Sequence, residues 1–322
     1  MKHRKTIINV LVITLAFLLF IIWNQNFIND TIPSTTAPLT KNYDIYLITA
    51  DNQDEFWQYL NDGAEDMAAL TGVNYYWRYP EVRNPQKQVQ VINEAINKGA
   101  DALLVAADDT KKISGAIEDA KAKGIQVIYV DAPANEEAVT TLSTNNYKAG
   151  LVAGQKMISY LKSEGIENGS IGILSFEDRV TETQREAGFR DALANNPEYE
   201  ILPTVNTQGK PVTSQLGAEK LIIENKDLVG LFGTNEGISA GLGNANKKNN
   251  NKIFSIGFDK STVTKKLYDE GSLSIIIEQN PYTMGYVGMA EAIAAVLGKN
   301  TGPSYFNTGF TVLEKEQQDL LQ

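Results

Sequence analysis

A chain of 322 residues, 43% of them hydrophobic, has length for about two domains, each with a core of its own. A net charge of −10 excludes a nucleic-acid surface, which needs clustered lysine and arginine. Cysteine is absent, which excludes disulfides, thiolate metal sites, a cysteine nucleophile and a lipid attached through cysteine.

In chain order, Lys2, Arg4 and Lys5 precede an apolar run from Ile7 to Trp23. That run is near the lower limit of about 17 residues for a membrane span, and its basic flank places the start in the cytoplasm and the body outside. A cleaved signal peptide is the rival reading, but Trp23-Asn-Gln-Asn-Phe27 offers no small-residue cleavage site. The expectation is an uncleaved anchor over residues 1–28, single-pass in the cell membrane. A polar tether follows over 29–42, with Pro33 and Pro38.

From Tyr43 strands and helices alternate. Strands are expected at Tyr43 to Thr49, Val73 to Arg78, Ala102 to Ala106 and Ile125 to Asp131. Between them lie helices from about Glu55 to Gly72, from Asn84-Pro85 to near Gly99, and up to Lys123. After Asn145 the rhythm restarts. Helices are expected over Tyr147 to Lys162, Glu182 to Asn195, Ser214 to Asn225 and Tyr282 to Leu297, and between the strands at 228–233 and 253–258. Strands are expected over Ser170 to Phe176, Tyr199 to Asn206, Leu228 to Gly233, Ile253 to Phe258 and Leu273 to Glu278. This alternation predicts an α/β architecture with parallel sheets and right-handed crossovers.

Two of these strands, Val127-Ile-Tyr-Val-Asp131 and Ser255-Ile-Gly-Phe-Asp259, stop at a carboxylate. Ligands of open α/β sheets sit beyond the carboxyl ends of the strands. Carboxylates accept hydrogen bonds from hydroxyls, so an acid from each half of the chain points to a polyol held between two lobes. The competing reading of such an aspartate is a helix N-cap.

Further segments are Phe56-Trp-Gln-Tyr-Leu-Asn-Asp-Gly-Ala64, Ser143-Thr-Asn-Asn146, Arg185-Glu-Ala-Gly-Phe189, Phe232-Gly-Thr-Asn-Glu236 and Glu278-Gln-Asn-Pro281. Together with the two strand ends, and over about residues 43–318, they resemble the periplasmic sugar-binding proteins of the ribose/galactose type. These are two-lobed receptors that share a fold with the sensory domain of lactose-repressor-type regulators. The resemblance implies two Rossmann-like lobes, one of about 41–144 plus 280–308 and the other of about 145–279 plus 309–318. Three crossings near Asn145, Gln279 and Asn307 would form a hinge.

The resemblance also implies a set of sugar contacts. Phe56 and Trp57 match an aromatic pair that stacks on the sugar, where core packing is the alternative. Asp54 falls where the family often has asparagine. Asp131 and Asp259 match the two acids, Arg185 a cross-cleft arginine with an exposed helix charge as its alternative, and Asn235 and Gln279 two amides. Ala132-Pro133 departs from ribose-type members, which carry an arginine after the first acid. That argues against ribose and leaves another pentose or a hexose, with D-xylose the single best choice. Trp77 and Tyr79 read as edge-of-core packing.

His3, before the apolar run, is the only histidine, so the body lacks Ser-His-Asp chemistry and histidine-ligated metal. No phosphate-cradling glycine motif follows a strand. Asp108-Asp109 reads as a solvated loop and helix cap. No cofactor, metal or nucleic acid is expected, and catalysis by Asp131 with Asp259 as a glycosidase pair is a remote alternative. The expected function is an anchored extracytoplasmic receptor that resembles xylose- or pentose-binding members working with a sensor histidine kinase. The alternative is the binding component of an ABC sugar importer, with a permease as partner.

Overall fold

The computed structural model describes residues 42–177 and 179–315; the expected membrane run, the tether as far as residue 41 and the chain after 315 lie outside the described residues. Among the described residues no helix is long and apolar enough to cross a membrane.

The first part of the chain forms β1 (Asp44–Ile48), α1 (Glu55–Thr71), β2 (Asn74–Arg78), α2 (Pro85–Asn97), β3 (Ala102–Val105), α3 (Ser114–Ala122), β4 (Gln126–Val130) and β5 (Thr140–Ser143). The second forms α4 (Asn146–Ser163), β6 (Gly169–Ser175), α5 (Val180–Leu193), β7 (Tyr199–Ile201), β8 (Val205–Asn206), α6 (Pro211–Glu224) and β9 (Leu228–Gly233). It continues through α7 (Glu236–Lys248), β10 (Phe254–Phe258), α8 (Thr262–Asp269) and β11 (Ile275–Gln279). The last elements are α9 (Pro281–Val296), β12 (Tyr305–Asn307) and β13 (Phe310–Glu314).

One sheet has the order β12-β5-β4-β3-β1-β2 with every pairing parallel. The other has the order β13-β11-β10-β9-β6-β7, with β8 also on β6; only β13 runs antiparallel, against β11. Most inner strands are largely apolar because helices cover both faces, β5 (Thr140-Thr-Leu-Ser143) being the polar exception; Ala102 to Val105, for example, are wholly buried. In the first lobe, α2 and α3 close a core around Leu103, Val127 and Tyr129. In the second, α4 and α5 cover Ile171, Phe232 and Phe258, while α6, α7 and α8 cover Leu231 and Ile276 on the opposite face.

The chain passes between the sheets after β5, after β11 and between β12 and β13. All three passages lie together. Asn145 N donates to Asn307 Oδ1 at 3.1 Å, and Asn280 Nδ2 donates to Thr308 O at 2.8 Å.

Local signals explain most boundaries. Asn84 accepts from Lys87 N and Pro85 starts α2; Gly72 and Gly99, both at positive φ, follow the ends of α1 and α2. The expected strand from Tyr199 to Asn206 is instead two short ones, because Pro203 between them has no N–H for the ladder. Helix α5 starts at Val180, two residues before the expected Glu182, which places that acid inside the first turn.

Candidate functional site

Asp131 and Asp259 each stand one residue beyond a central strand, β4 and β10, and both have left-handed backbones, with φ of 64° and 66°. Such a conformation is costly for a residue with a Cβ and persists where surroundings enforce it. Here the amide of Asp131 donates to Leu142 O at 2.8 Å and that of Asp259 to Ile277 O at 2.9 Å, anchoring each turn on the neighbouring strand. Neither is a helix cap. Ser261 caps α8, and β5 rather than a helix follows Asp131.

Both carboxyls are buried, and desolvation raises them. For Asp131 the carboxyl is pushed up to about 7, with Arg185 pulling it down and Glu182 and Asp259 pushing it up. Burial likewise raises Asp259, against the opposing pull of Arg185 and of Gln279, whose Nε2 donates to Asp259 Oδ1 at 2.7 Å.

The N-terminus of α1 brings in the aromatic pair. Phe56 and Trp57 are buried and meet edge to face, their centroids 5.0 Å apart. Asp54 occupies the N-cap position, yet its side chain makes no capping hydrogen bond. Glu236, from the other lobe, performs that task by accepting from Glu55 N at 3.2 Å and Phe56 N at 3.1 Å. Burial and then the nearby Asp259 push Glu236 up to about 7, although the two amides oppose the shift. The Asp54 carboxyl is left facing the cleft, held well above the usual carboxylate range by burial and by Glu236 and Asp51.

Arg185, on α5, is 2% exposed, so it is not a solvated helix charge. Its Nε donates to Asn146 Oδ1 at 2.8 Å, its Nη1 donates to Thr234 O at 2.7 Å, and its guanidinium lies 4.4 Å over Phe258. Close helix packing sets this position: a Cβ at Gly150 of α4 would come within 1.9 Å of Arg185 O. Asn235 caps α7 by accepting from Ile238 N and gives its Nδ2 to Glu182 Oε1 at 3.2 Å. Asn145 caps α4 through Lys148 N.

Every residue expected to touch a sugar lines one cavity: Asp54, Phe56, Trp57, Asp131, Arg185, Asn235, Asp259 and Gln279. Arg83, Arg179, Thr181 and Glu182 line it too, and sequence reading missed them, as it missed Glu236. Charged residues in a loop or a first helical turn look solvated in sequence. One expectation is corrected here. Asp108 is not a solvated loop residue but is buried, at 2.9 Å from both Arg83 Nε and Arg179 Nη1. Asp109 is not a helix cap either: it accepts from Lys111 N and Lys112 N in the turn before α3, whose N-cap position is Ile113. Trp77, half-buried at the sheet edge, donates from Nε1 to Thr49 Oγ1 and packs against Tyr79.

Three cavity-lining residues keep a buried polar atom without a protein partner: Nε1 of Trp57, Nε of Arg179 and Oε1 of Gln279. A donor and an acceptor are thus both available to something in the cavity. Among the described residues no cluster of histidine, aspartate and glutamate suits a metal ion.

A family model described as a periplasmic binding protein domain matches residues 45–300. The chain belongs to that family. It is 23% identical over 267 residues to the ribose import binding protein RbsB of Escherichia coli, covering 81% of this chain and 87% of that protein. It is 22% identical to the D-apiose import binding protein of Actinobacillus succinogenes, covering 85% of each. Among solved structures, a solute-binding protein from Agrobacterium vitis bound to α-D-tagatopyranose has a TM-score of 0.80 at 25% identity, covering 85% of this chain and 95% of that one. A carbohydrate transporter solute-binding protein from Agrobacterium radiobacter, in complex with D-arabinose, has a TM-score of 0.82 at 23% identity, covering 87% and 97%. The fold is therefore the two-lobed α/β fold of these binding proteins.

Proposed function

We propose that this periplasmic binding protein is an extracytoplasmic receptor that binds one monosaccharide between its lobes and delivers it to the permease of an ABC importer. The observation that carries the reading is the single cavity in which two strand-end acids, one from each lobe, face an aromatic pair and two amides. The ring's C–H face would stack on Phe56 and Trp57 while its hydroxyls donate to Asp131 and Asp259. Arg185, held on two sides by Asn146 and Thr234, presents its remaining edge to a hydroxyl oxygen. The chain passages near Asn145, Gln279 and Asn307 act as the hinge, and closure excludes water, which strengthens each charge-assisted bond. Binding without turnover is the expected behaviour.

Relatives support import: ribose and D-apiose import binding proteins recur among them, beside a D-allose-binding periplasmic protein. An aldopentose is the ligand class to test first, D-xylose ahead of ribose because Ala132 supplies no donor. Signalling to a sensor histidine kinase is the second reading, favoured by the apolar run at Ile7 to Trp23. Thermal unfolding of the full-length protein with D-xylose, D-ribose, L-arabinose, D-glucose, D-galactose and D-allose tests the ligand. At 100 times its Kd a ligand stabilises by about 2.7 kcal/mol. No shift with any of them, together with measurable glycosidase activity, contradicts the proposal. Co-purification from the native membrane with a permease supports import, and with a kinase alone supports signalling.

A further inference from the structure

Asp131 is followed by Ala132, so the next residue of its own lobe brings no cation to it. A guanidinium reaches it from the other lobe instead. Arg179, immediately before α5, has a side chain 3% exposed and bonds from Nη1 to Asp108 Oδ1 at 2.9 Å. Its Nη2 stops 3.7 Å from Asp131 Oδ2, and its Nε stops 3.9 Å from Glu182 Oε2. Both gaps are too long for hydrogen bonds, and Nε is buried without a partner. A guanidinium offers five donors in a rigid fork. One arm of this fork is held by Asp108, while the residue lines the same cavity as Asp131 and Glu182.

We propose that Arg179 is a specificity-determining ligand contact: one sugar hydroxyl sits between it and Asp131, accepting from the Nη2 and Nε edge and donating to the carboxylate. The inference rests on the sugar-binding reading above. The spacing suits it, since an oxygen about 2.8 Å from each of two atoms that are 3.7 Å apart makes an ordinary triangle. A group that only donates or only accepts would satisfy one side and leave the other buried and unpaired. The contact also depends on closure. Asp108 and Asp131 belong to the first lobe and Arg179 to the second, so the hydroxyl is read only when the lobes meet.

The test is titration calorimetry on the full-length protein and its Arg179→Lys and Asp108→Asn variants. The probes are the same six monosaccharides and the monodeoxy forms of whichever binds most tightly. Lysine keeps a charge beside Asp108 but loses the fork. The expected result is a loss of about tenfold or more for the parent sugar in Arg179→Lys. One monodeoxy sugar should bind wild type and Arg179→Lys within about twofold, because the bridging hydroxyl is already gone. The other deoxy sugars should still feel the substitution, and Asp108→Asn should cost less than Arg179→Lys. Wild-type affinity in Arg179→Lys overturns the assignment while leaving the sugar reading intact, as does an equal loss for every deoxy form. Failure of wild type to bind any of the sugars overturns the sugar reading and this assignment with it.

Discussion

The two lobes present the same device, an aspartate in a left-handed turn at the end of a central strand, in two different states of preparation. Asp259 of the second lobe is already engaged by Gln279 at 2.7 Å, and the nearby Arg185 is fixed by Asn146 and Thr234. Asp131 of the first lobe has an alanine beside it, and the partner drawn from across the cleft stays at 3.7 Å. The second lobe is thus wired before it meets ligand. The first contributes flat aromatic surface and acids that still lack partners. Under the proposed function, sugar would meet the prepared lobe first and the other lobe would complete the contacts.

Substitutions in the prepared lobe should have the larger effect. Arg185→Ala should reduce sugar affinity by more than about 100-fold and destabilise the ligand-free protein by about 2–3 kcal/mol, since Asn146 and Thr234 lose a buried charged donor. Titration calorimetry and thermal unfolding read the two effects separately, and near-wild-type affinity would place the sugar elsewhere.

The two acids should then part company. Asp259→Ala and Asp131→Ala should each weaken binding by about 10–100-fold. Without ligand, however, Asp259→Ala should lower the Tm because it orphans the Gln279 amide. Asp131→Asn should raise the Tm at pH 8 because it removes a buried, poorly compensated charge. Equal Tm changes of one sign would erase the distinction between the lobes.

A smaller effect is expected at the cross-cleft contact. Glu236→Ala should weaken sugar binding about fivefold, the scale of losing one helix-capping acceptor, without altering which sugar is preferred. A change in preference would mean that Glu236 touches the ligand.

A separate readout is pH dependence. Asp131 and Glu236 are raised to about 7 in the folded protein, against about 4 in the unfolded chain. Between those values the folded state binds more protons, so these groups make stability fall as pH rises from about 4 to 7 and level off above. Ligand-free Tm measured from pH 5 to 8 should decline, and less so in Asp131→Asn. A rising profile with no difference between wild type and variant contradicts the assignment.

Much of this site was legible because its signals are local. A buried strand reads as an apolar run, and an acid at its end is visible in sequence, so Asp131 and Asp259 were found together with the neighbours that resembled a family. The mostly polar strand Thr140–Ser143 and the three-residue strand Tyr305–Asn307 are too polar or too short to carry such a run and went unseen. Nor could Asp108 be read correctly, because its burial depends on Arg83 and Arg179, which lie 25 and 71 residues away. Glu236 was missed for the same reason: its amide partners belong to the other lobe, 181 and 180 residues distant in sequence.

The central claim, that a sugar is held between the strand-end acids of both lobes, is tested most directly by a crystal structure of the protein grown with its tightest-binding monosaccharide. The account predicts one ring stacked on Phe56 or Trp57, with hydroxyls within about 3 Å of both Asp131 and Asp259. A sugar bound outside the cleft, or touching only one of the two acids, would contradict it.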